Sequence, residues 1–341
     1  MEKNAGLKVL AGAAAALVLL LVLGLTSTAE PGKAQRRESA VEVMRAAIAM
    51  AEPGGAEAQN TRREGVYTFL LAGQDNGNGN TDTIMVIRLD TLNRTIDAVS
   101  IPRDTMINTA WKIRKINAAY SMGPYNGLSG AECLAAHVAE LTGFPVDGYA
   151  VVDLRAFVEI VDAMGGVWFE VPMAMDYEDP SQNLAIHLKA GYQLLNGQQA
   201  LGLCRFRSGY ASADLGRIDM QHRFLKACAG QFIEKGSIPN AVRVVEILAD
   251  SVETDMSAGK IAWFLAQALR CPAENIRFHT APNRLDTVGG FSYTILELEP
   301  WLQLINRCLD PYELPLTAAD LNVVFIQDGA LGFTAAPCFA A

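Results

Sequence analysis

VYTFLLAGQDNGNGNTDTIMVIRLDTLNRTIDAVSIPRDT, residues 66–105, holds three strand-like runs separated by polar turns. Val66–Ala72 reads as a buried strand stopped by Gly73. Thr83–Asp90 reads as a second strand, and Thr95–Ile101 as a third, joined to it by a turn at Asn93. Downstream, helical and strand-like segments alternate. Ser129–Leu141 predicts a helix ended by Gly143, Tyr149–Val152 a strand, Leu154–Met164 a helix closed by Gly165 and Gly166, and Val167–Val171 a strand. Leu201–Phe206 predicts a short strand and Asp214–Phe232 a long helix. Pro239–Leu248 and Ser257–Leu269 predict further helices, and Ile276–Thr280 and Val323–Ile326 late strands. This alternation predicts an α/β fold, an α-β-α layered domain around a central mixed β-sheet.

Upstream, Lys3 and Lys8 precede an uncharged run, VLAGAAAALVLLLVLGL, that extends to Ala29. It is about the length of a bilayer-crossing helix. The lysines favour an N-terminus on the cytoplasmic side with the remainder outside. Ser27-Thr28-Ala29 also resembles a cleavage site, so an anchor and a removed signal segment both fit. The expected organisation is a cytoplasmic start (1–8), a membrane segment (9–29), a Pro-Gly-bracketed linker or stalk (30–64) and an external domain (65–341) with its core over 66–233. A single-pass protein of the cell membrane is therefore expected.

The 341 residues carry a net charge of −9, and half of them are hydrophobic. That balance speaks against a general nucleic-acid binder, and any anion site must be local. The six cysteines show no CxxC and no metal-ligand spacing. Several sit in apolar runs and read as buried thiols, while a Cys271–Cys308 pair is left open.

Three polar constellations stand out. GQDNGNGNTDT, residues 73–83, places Asp75 and Asp82 at the two ends of a Gly/Asn loop after a strand. Two such carboxylates suit a hard divalent cation, Mg²⁺ or Mn²⁺, although a solvated Asx-rich turn would look the same. SIPRDT brings Arg103 and Asp104 to the end of the third strand, either as a site or as a surface ion pair; Lys115 adds a cation nearby. CRFRSGYASADLGRIDMQHR, residues 204–223, gathers four arginines in an acidic chain. Arg205 and Arg207 would share one face of a strand. Arg217 and Gln221, four apart, would share one face of a helix capped by Asp214. Surface salt bridges are the alternative to a phosphate-gripping fork. Arg223 falls off that face and reads as solvated.

Together these motifs resemble the LytR–CpsA–Psr family of cell-envelope phosphotransferases. The matching text is FLLAGQD, TDTIMVIRLD, VSIPRDT, KINAAY, IVDAMGGV, LLNGQQAL, CRFR and DLGRIDMQ, in order from about Val66 to Ile233. The resemblance implies an external enzyme that takes a glycopolymer from a polyprenyl-pyrophosphate carrier. It would transfer the glycosyl phosphate to peptidoglycan with Mg²⁺ and release the prenyl monophosphate, a pyrophosphatase activity being left open. It further implies metal binding at Asp75 and Asp82, and pyrophosphate contacts from Arg103, Arg205, Arg207, Arg217 and Gln221, with Lys115 as an added cation. Arg103, Asp104, Arg205 and Arg207 are the expected catalytic residues. Asp104 and Asp82 both remain candidates for removing the acceptor's proton.

Where the family often carries Arg-Ser-Asp, this chain has Asn80-Thr81-Asp82, so a cation is missing. That departure leaves room for a non-catalytic binder of prenyl phosphates or glycopolymers. A tethered transcriptional regulator would need a cytoplasmic DNA-binding segment, and only Met1–Lys8 precede the apolar run. The apolar segments Ala131–Leu141 and Phe157–Met164 are expected either to line a lipid slot or to pack as core.

Overall fold

The computed structural model describes residues 60–74, 79–179, 184–206, 213–235, 252–268, 270–327 and 329–337. The opening stretch forms three strands: β1 (Val66–Gln74), β2 (Thr81–Asp90) and β3 (Thr95–Ser100), paired antiparallel in sequence order. Then come helix α1 (Gly130–Thr142), β4 (Gly148–Val152) and α2 (Leu154–Ala163). Two small antiparallel pairs follow, β5 (Val167–Val171) with β8 (Gly191–Leu195), and β6 (Met175–Asp179) with β7 (Leu184–Leu188). Helices α3 (Gly197–Arg205) and α4 (Ala213–Lys235) precede β9 (Val252–Thr254), α5 (Ala258–Ala268) and β10 (Ile276–Thr280). The described chain closes with hairpin β11 (Asn283–Val288) and β12 (Phe291–Leu296), helix α6 (Leu298–Cys308), and hairpin β13 (Val324–Gln327) and β14 (Ala330–Phe333).

The central sheet has six strands in the order β10-β3-β2-β1-β4-β9. β4 runs parallel to β1 and β10 parallel to β3, so the sheet is mixed. Side chains alternate across a strand, and β1 shows why both faces must be covered. Phe69 and Leu71 face one core with Ile160 of α2, Leu203 of α3, Phe224 of α4 and Phe264 of α5. Leu70 and Ala72 face a second core with Leu134 and Val138 of α1 and Trp301 and Ile305 of α6. Helices therefore layer both faces.

Local signals set the helix ends. Ser129 caps α1 in a reciprocal box with Glu132, and Gly143 closes the helix in the left-handed region at φ 81°. Asn60, Arg62 and Arg63, at the end of the expected linker, hydrogen-bond to Leu314, Asp147 and Pro311 on the domain.

Several expectations are corrected here. Residues 201–206 are not a strand: Leu201–Arg205 form the last part of α3. Six apolar-rich residues do not distinguish strand from helix by periodicity. The deciding signal is the box in which Asn196 and Gln199 cap each other's backbone, which starts a helix at Gly197. Arg205 thus ends a helix and shares no strand face with Arg207, which lies outside the described residues. α4 begins at Ala213, one residue before Asp214. Cys271 and Cys308 are free and unpaired, because they sit in the two different cores on opposite faces of the sheet. The expected helix Pro239–Leu248 and the expected membrane segment lie outside the described residues. No helix among the described residues is long and apolar enough to cross a membrane.

Candidate functional site

The polar motifs converge at one end of the sheet because of how its strands run. β1 ends where antiparallel β2 begins, with Gln74 opposite Thr81 and a register break after Gly73. Parallel β4 ends beside β1, with Val152 opposite Gly73. The chain leaving β3 folds back against the start of β2, where the Ile101 amide donates to the Ile84 carbonyl. Strand ends of an α/β sheet are a common location for a site.

A cleft of about 130 Å³ opens there. Asp82, Arg205, Arg217 and Gln221 supply polar lining, while Leu154, Phe157, Leu201 and Leu225 supply much of the apolar lining. Asp82 is the electrostatic centre. Its Oδ1 takes a hydrogen bond from Arg103 Nη1, and its Oδ2 lies 3.9 Å from Arg217 Nη1. The Arg217 side chain is only 3% exposed. A guanidinium so far out of water needs a nearby countercharge, and Asp82 provides it.

Gln221, one turn after Arg217, fixes the position of α4. Its amide donates to the Cys204 carbonyl at 3.2 Å, satisfying a terminal acceptor of α3, and its Oε1 lies 3.5 Å from the Thr83 hydroxyl. Next to it, His222 Nε2 meets Ser100 Oγ at 2.7 Å, tying α4 to the end of β3. Burial lowers His222 to about 4, so the imidazole is neutral in this contact at physiological pH.

The remaining expected residues divide. Asp104 accepts from Lys115 at 3.1 Å, and Lys115 sits over the Tyr293 ring at 5.8 Å; neither residue lines the cleft. Asp75, like Arg207, lies outside the described residues. Asn80, where a family arginine is missing, accepts a hydrogen bond from the Ser121 hydroxyl at 3.1 Å. Arg223 is exposed with its guanidinium 5.8 Å from the centre of the Phe169 ring. Of the apolar segments, Phe157 lines the cleft, whereas Ala131, Leu134, Val138 and Leu141 pack into the core on the other face.

Two cleft contributors were not singled out from the sequence. Asp153 follows β4 and caps α2 by accepting from the Ala156 amide at 2.6 Å. An acidic residue just beyond a parallel strand was the available signal. The strand-like run at 201–206 hides that α3 brings Leu201 to the cleft.

The donor set fits a hard cation. Asp82 and Thr83 offer oxygen ligands, and burial pushes the nearby Cys204 thiol up to about 12, so it stays protonated and offers no soft thiolate.

Fold and site together define a mixed-sheet α/β protein with a largely apolar cleft, bordered by cationic side chains, at its strand ends. The chain belongs to the LytR_cpsA_psr family, whose model matches residues 27–307. The polyisoprenyl-teichoic acid–peptidoglycan teichoic acid transferase TagV of Bacillus subtilis is 31% identical over 197 residues, covering 56% of this chain and 48% of that protein. The cell wall biosynthesis protein LcpA of Corynebacterium glutamicum is 32% identical over 267 residues, covering 70% and 50% respectively. The chain thus spans about half the length of these relatives. The crystal structure of B. subtilis TagV matches with a TM-score of 0.60 at 26% identity, covering 72% of this chain and 96% of that one.

Proposed function

We propose that this protein is a membrane-anchored phosphotransferase acting outside the cytoplasmic membrane. It moves a glycopolymer, as glycosyl phosphate, from a polyprenyl-pyrophosphate carrier to a peptidoglycan hydroxyl. The observation that carries this reading is the Arg103–Asp82–Arg217 cluster beside an apolar cleft. A pyrophosphate concentrates several negative charges next to a hydrocarbon chain, and this lining offers cations and grease together. The names of TagV and its relatives support the same reaction class. Residues 9–29 supply the anchor, 30–64 the linker, and the domain from 65 onward the chemistry. No nucleic-acid partner is involved.

The acceptor hydroxyl attacks the phosphorus nearer the sugar. The bond to the bridging oxygen breaks, the prenyl monophosphate leaves with the bonding electrons, and the hydroxyl proton passes to a base. Such transfers depend mainly on positioning and charge. Arg103, Arg205 and Arg217 neutralise the pyrophosphate oxygens, Arg207 joins them, and Gln221 sets the helix that carries Arg217. Asp82, with Asp75, would hold Mg²⁺ or Mn²⁺, which would supply charge neutralisation at the phosphates. Asp104 and Asp82 both stay candidates for the proton acceptor: Asp104 pairs with Lys115 away from the cleft lining, and Asp82 lines the cleft but pairs with Arg103 and Arg217.

The test uses the full-length chain with a polyprenyl-pyrophosphate-linked glycan, peptidoglycan and Mg²⁺. Glycan attachment is expected to fall by about 10²-fold or more in both Arg205→Ala and Asp82→Ala. Wild-type activity in both variants would sink the proposal. The second reading, a non-catalytic binder, draws on Asn80, which bonds to Ser121 and supplies no cation. It predicts retained lipid binding with no turnover under any metal condition.

A further inference from the structure

Away from the cleft, three potential metal ligands meet at the edge of the sheet. Asp97 is on β3, and His279 is on the neighbouring parallel strand β10, in a register that sets Val99 opposite it. Cys308 is the last residue of α6. One atom from each lies within 4.8 Å of the other two. His279 Nε2 is 3.1 Å from Asp97 Oδ1 and 3.6 Å from Cys308 Sγ.

We infer that Asp97, His279 and Cys308 form a binding site for a borderline-soft divalent cation of the Zn²⁺ type. The distances support a common centre. A tetrahedral ion with ordinary zinc bond lengths separates sulfur from nitrogen by about 3.6 Å and nitrogen from oxygen by about 3.3 Å. Both contacts also fall on the same imidazole nitrogen. A single N–H cannot point well at both a carboxylate and a sulfur, whereas a shared ion requires that convergence. The second oxygen of Asp97 accepts from Arg277 Nη2 at 2.8 Å, the kind of outer partner that orients a ligating carboxylate.

Burial and charge are consistent with this assignment. Asp97 and Cys308 are 1% and 3% exposed, while His279, at 24%, leaves an approach from solvent. Arg277, and Arg307 next to Cys308 in the chain, oppose a dication, but an ionised carboxylate and thiolate make the liganded ion neutral. The ion would pin the end of α6 to the β3–β10 edge, a role separate from the phosphotransferase chemistry.

The test takes the purified, reduced full-length chain, strips it with a chelator and titrates it with Co²⁺, then Zn²⁺. A one-to-one near-ultraviolet thiolate-to-cobalt band is expected, displaced by Zn²⁺, absent in Cys308→Ser and retained in Cys204→Ser. Arg277→Ala is expected to weaken Co²⁺ binding about tenfold, and Asp97→Asn, which leaves the thiol in place, at least as much. Zn²⁺ should raise the melting temperature of the wild-type chain and not that of Cys308→Ser. A band that survives in Cys308→Ser overturns the assignment. So does a folded wild-type chain with no band, which would leave the trio as a hydrogen-bonded cluster without metal.

Discussion

Arg217, in the long helix α4, lies 3.9 Å from Asp82, at the start of β2, with its side chain almost wholly withdrawn from water. Asp82 serves as countercharge to Arg217 and to Arg103, so removing it withdraws a shared negative charge, and removing Arg217 withdraws one of the cations held beside the cleft. Asp82→Ala and Arg217→Ala are each expected to reduce turnover by roughly 10²- to 10³-fold. The stability losses should be non-additive, the double variant being more stable than the sum of the singles implies. Activity assays and denaturant unfolding of the four proteins check both points. Fully additive losses would mean that the two groups do not interact.

The apolar lining of the cleft predicts a split by substrate length. Leu201→Trp places a larger side chain where Phe157, Leu225 and Leu201 line the space. A long prenyl chain should then lose apolar contact, worth about 0.8 kcal/mol per methylene. We expect KM to rise about tenfold or more for a long-chain polyprenyl pyrophosphate and to change little for a short-chain analogue. An equal effect on both would place the lipid elsewhere.

The three strands of residues 66–105 were legible because their apolar runs are short, bounded by turns and buried on both faces. Asp82, Arg103 and Arg217 were legible as charged residues, but the Asp82–Arg217 contact depends on the mixed strand order, which no local pattern encodes. The run LGLCRF misled because burial makes strand and helix alike in composition, and Asn196 with Gln199 carried the information instead. β6 and β7 went unseen because they form a two-stranded pair outside the main sheet with much of its surface in solvent. Asp97, His279 and Cys308 are scattered over more than two hundred residues and show no ligand spacing; only the β3–β10 pairing and the end of α6 unite them.

Gly197 in LLNGQQAL has a packing reason. A Cβ there would come within 2.3 Å of the Val158 carbonyl oxygen, while its amide donates to Asp162 Oδ1 at 2.7 Å. Gly197→Ala must push α3 away from α2, at a cost of about 1–3 kcal/mol. The movement would also displace Arg205 and Leu201 at the other end of α3. A lowered melting temperature with a larger fractional loss of activity than of folded protein is expected; an unchanged melting temperature would refute the close approach.

His137 makes stability depend on pH. It is buried in α1 with its ring edge-on to Trp111 at 5.0 Å, and burial alone pushes it down from 6.5 to about 4. The unfolded chain therefore takes up this proton at a higher pH than the folded chain does. The contribution is fully present above pH 6.5 and declines as pH falls toward 4, where the folded imidazole also becomes charged. Its full size is about 3 kcal/mol. His222, also lowered to about 4, acts with the same sign, so the wild-type dependence contains both. His137→Phe removes one titration while keeping an aromatic ring against Trp111. Denaturant unfolding at pH 7 and pH 4.5 should show a smaller acid-induced loss in this variant than in the wild type. An identical loss in both proteins would mean that His137 titrates alike in the folded and unfolded chain.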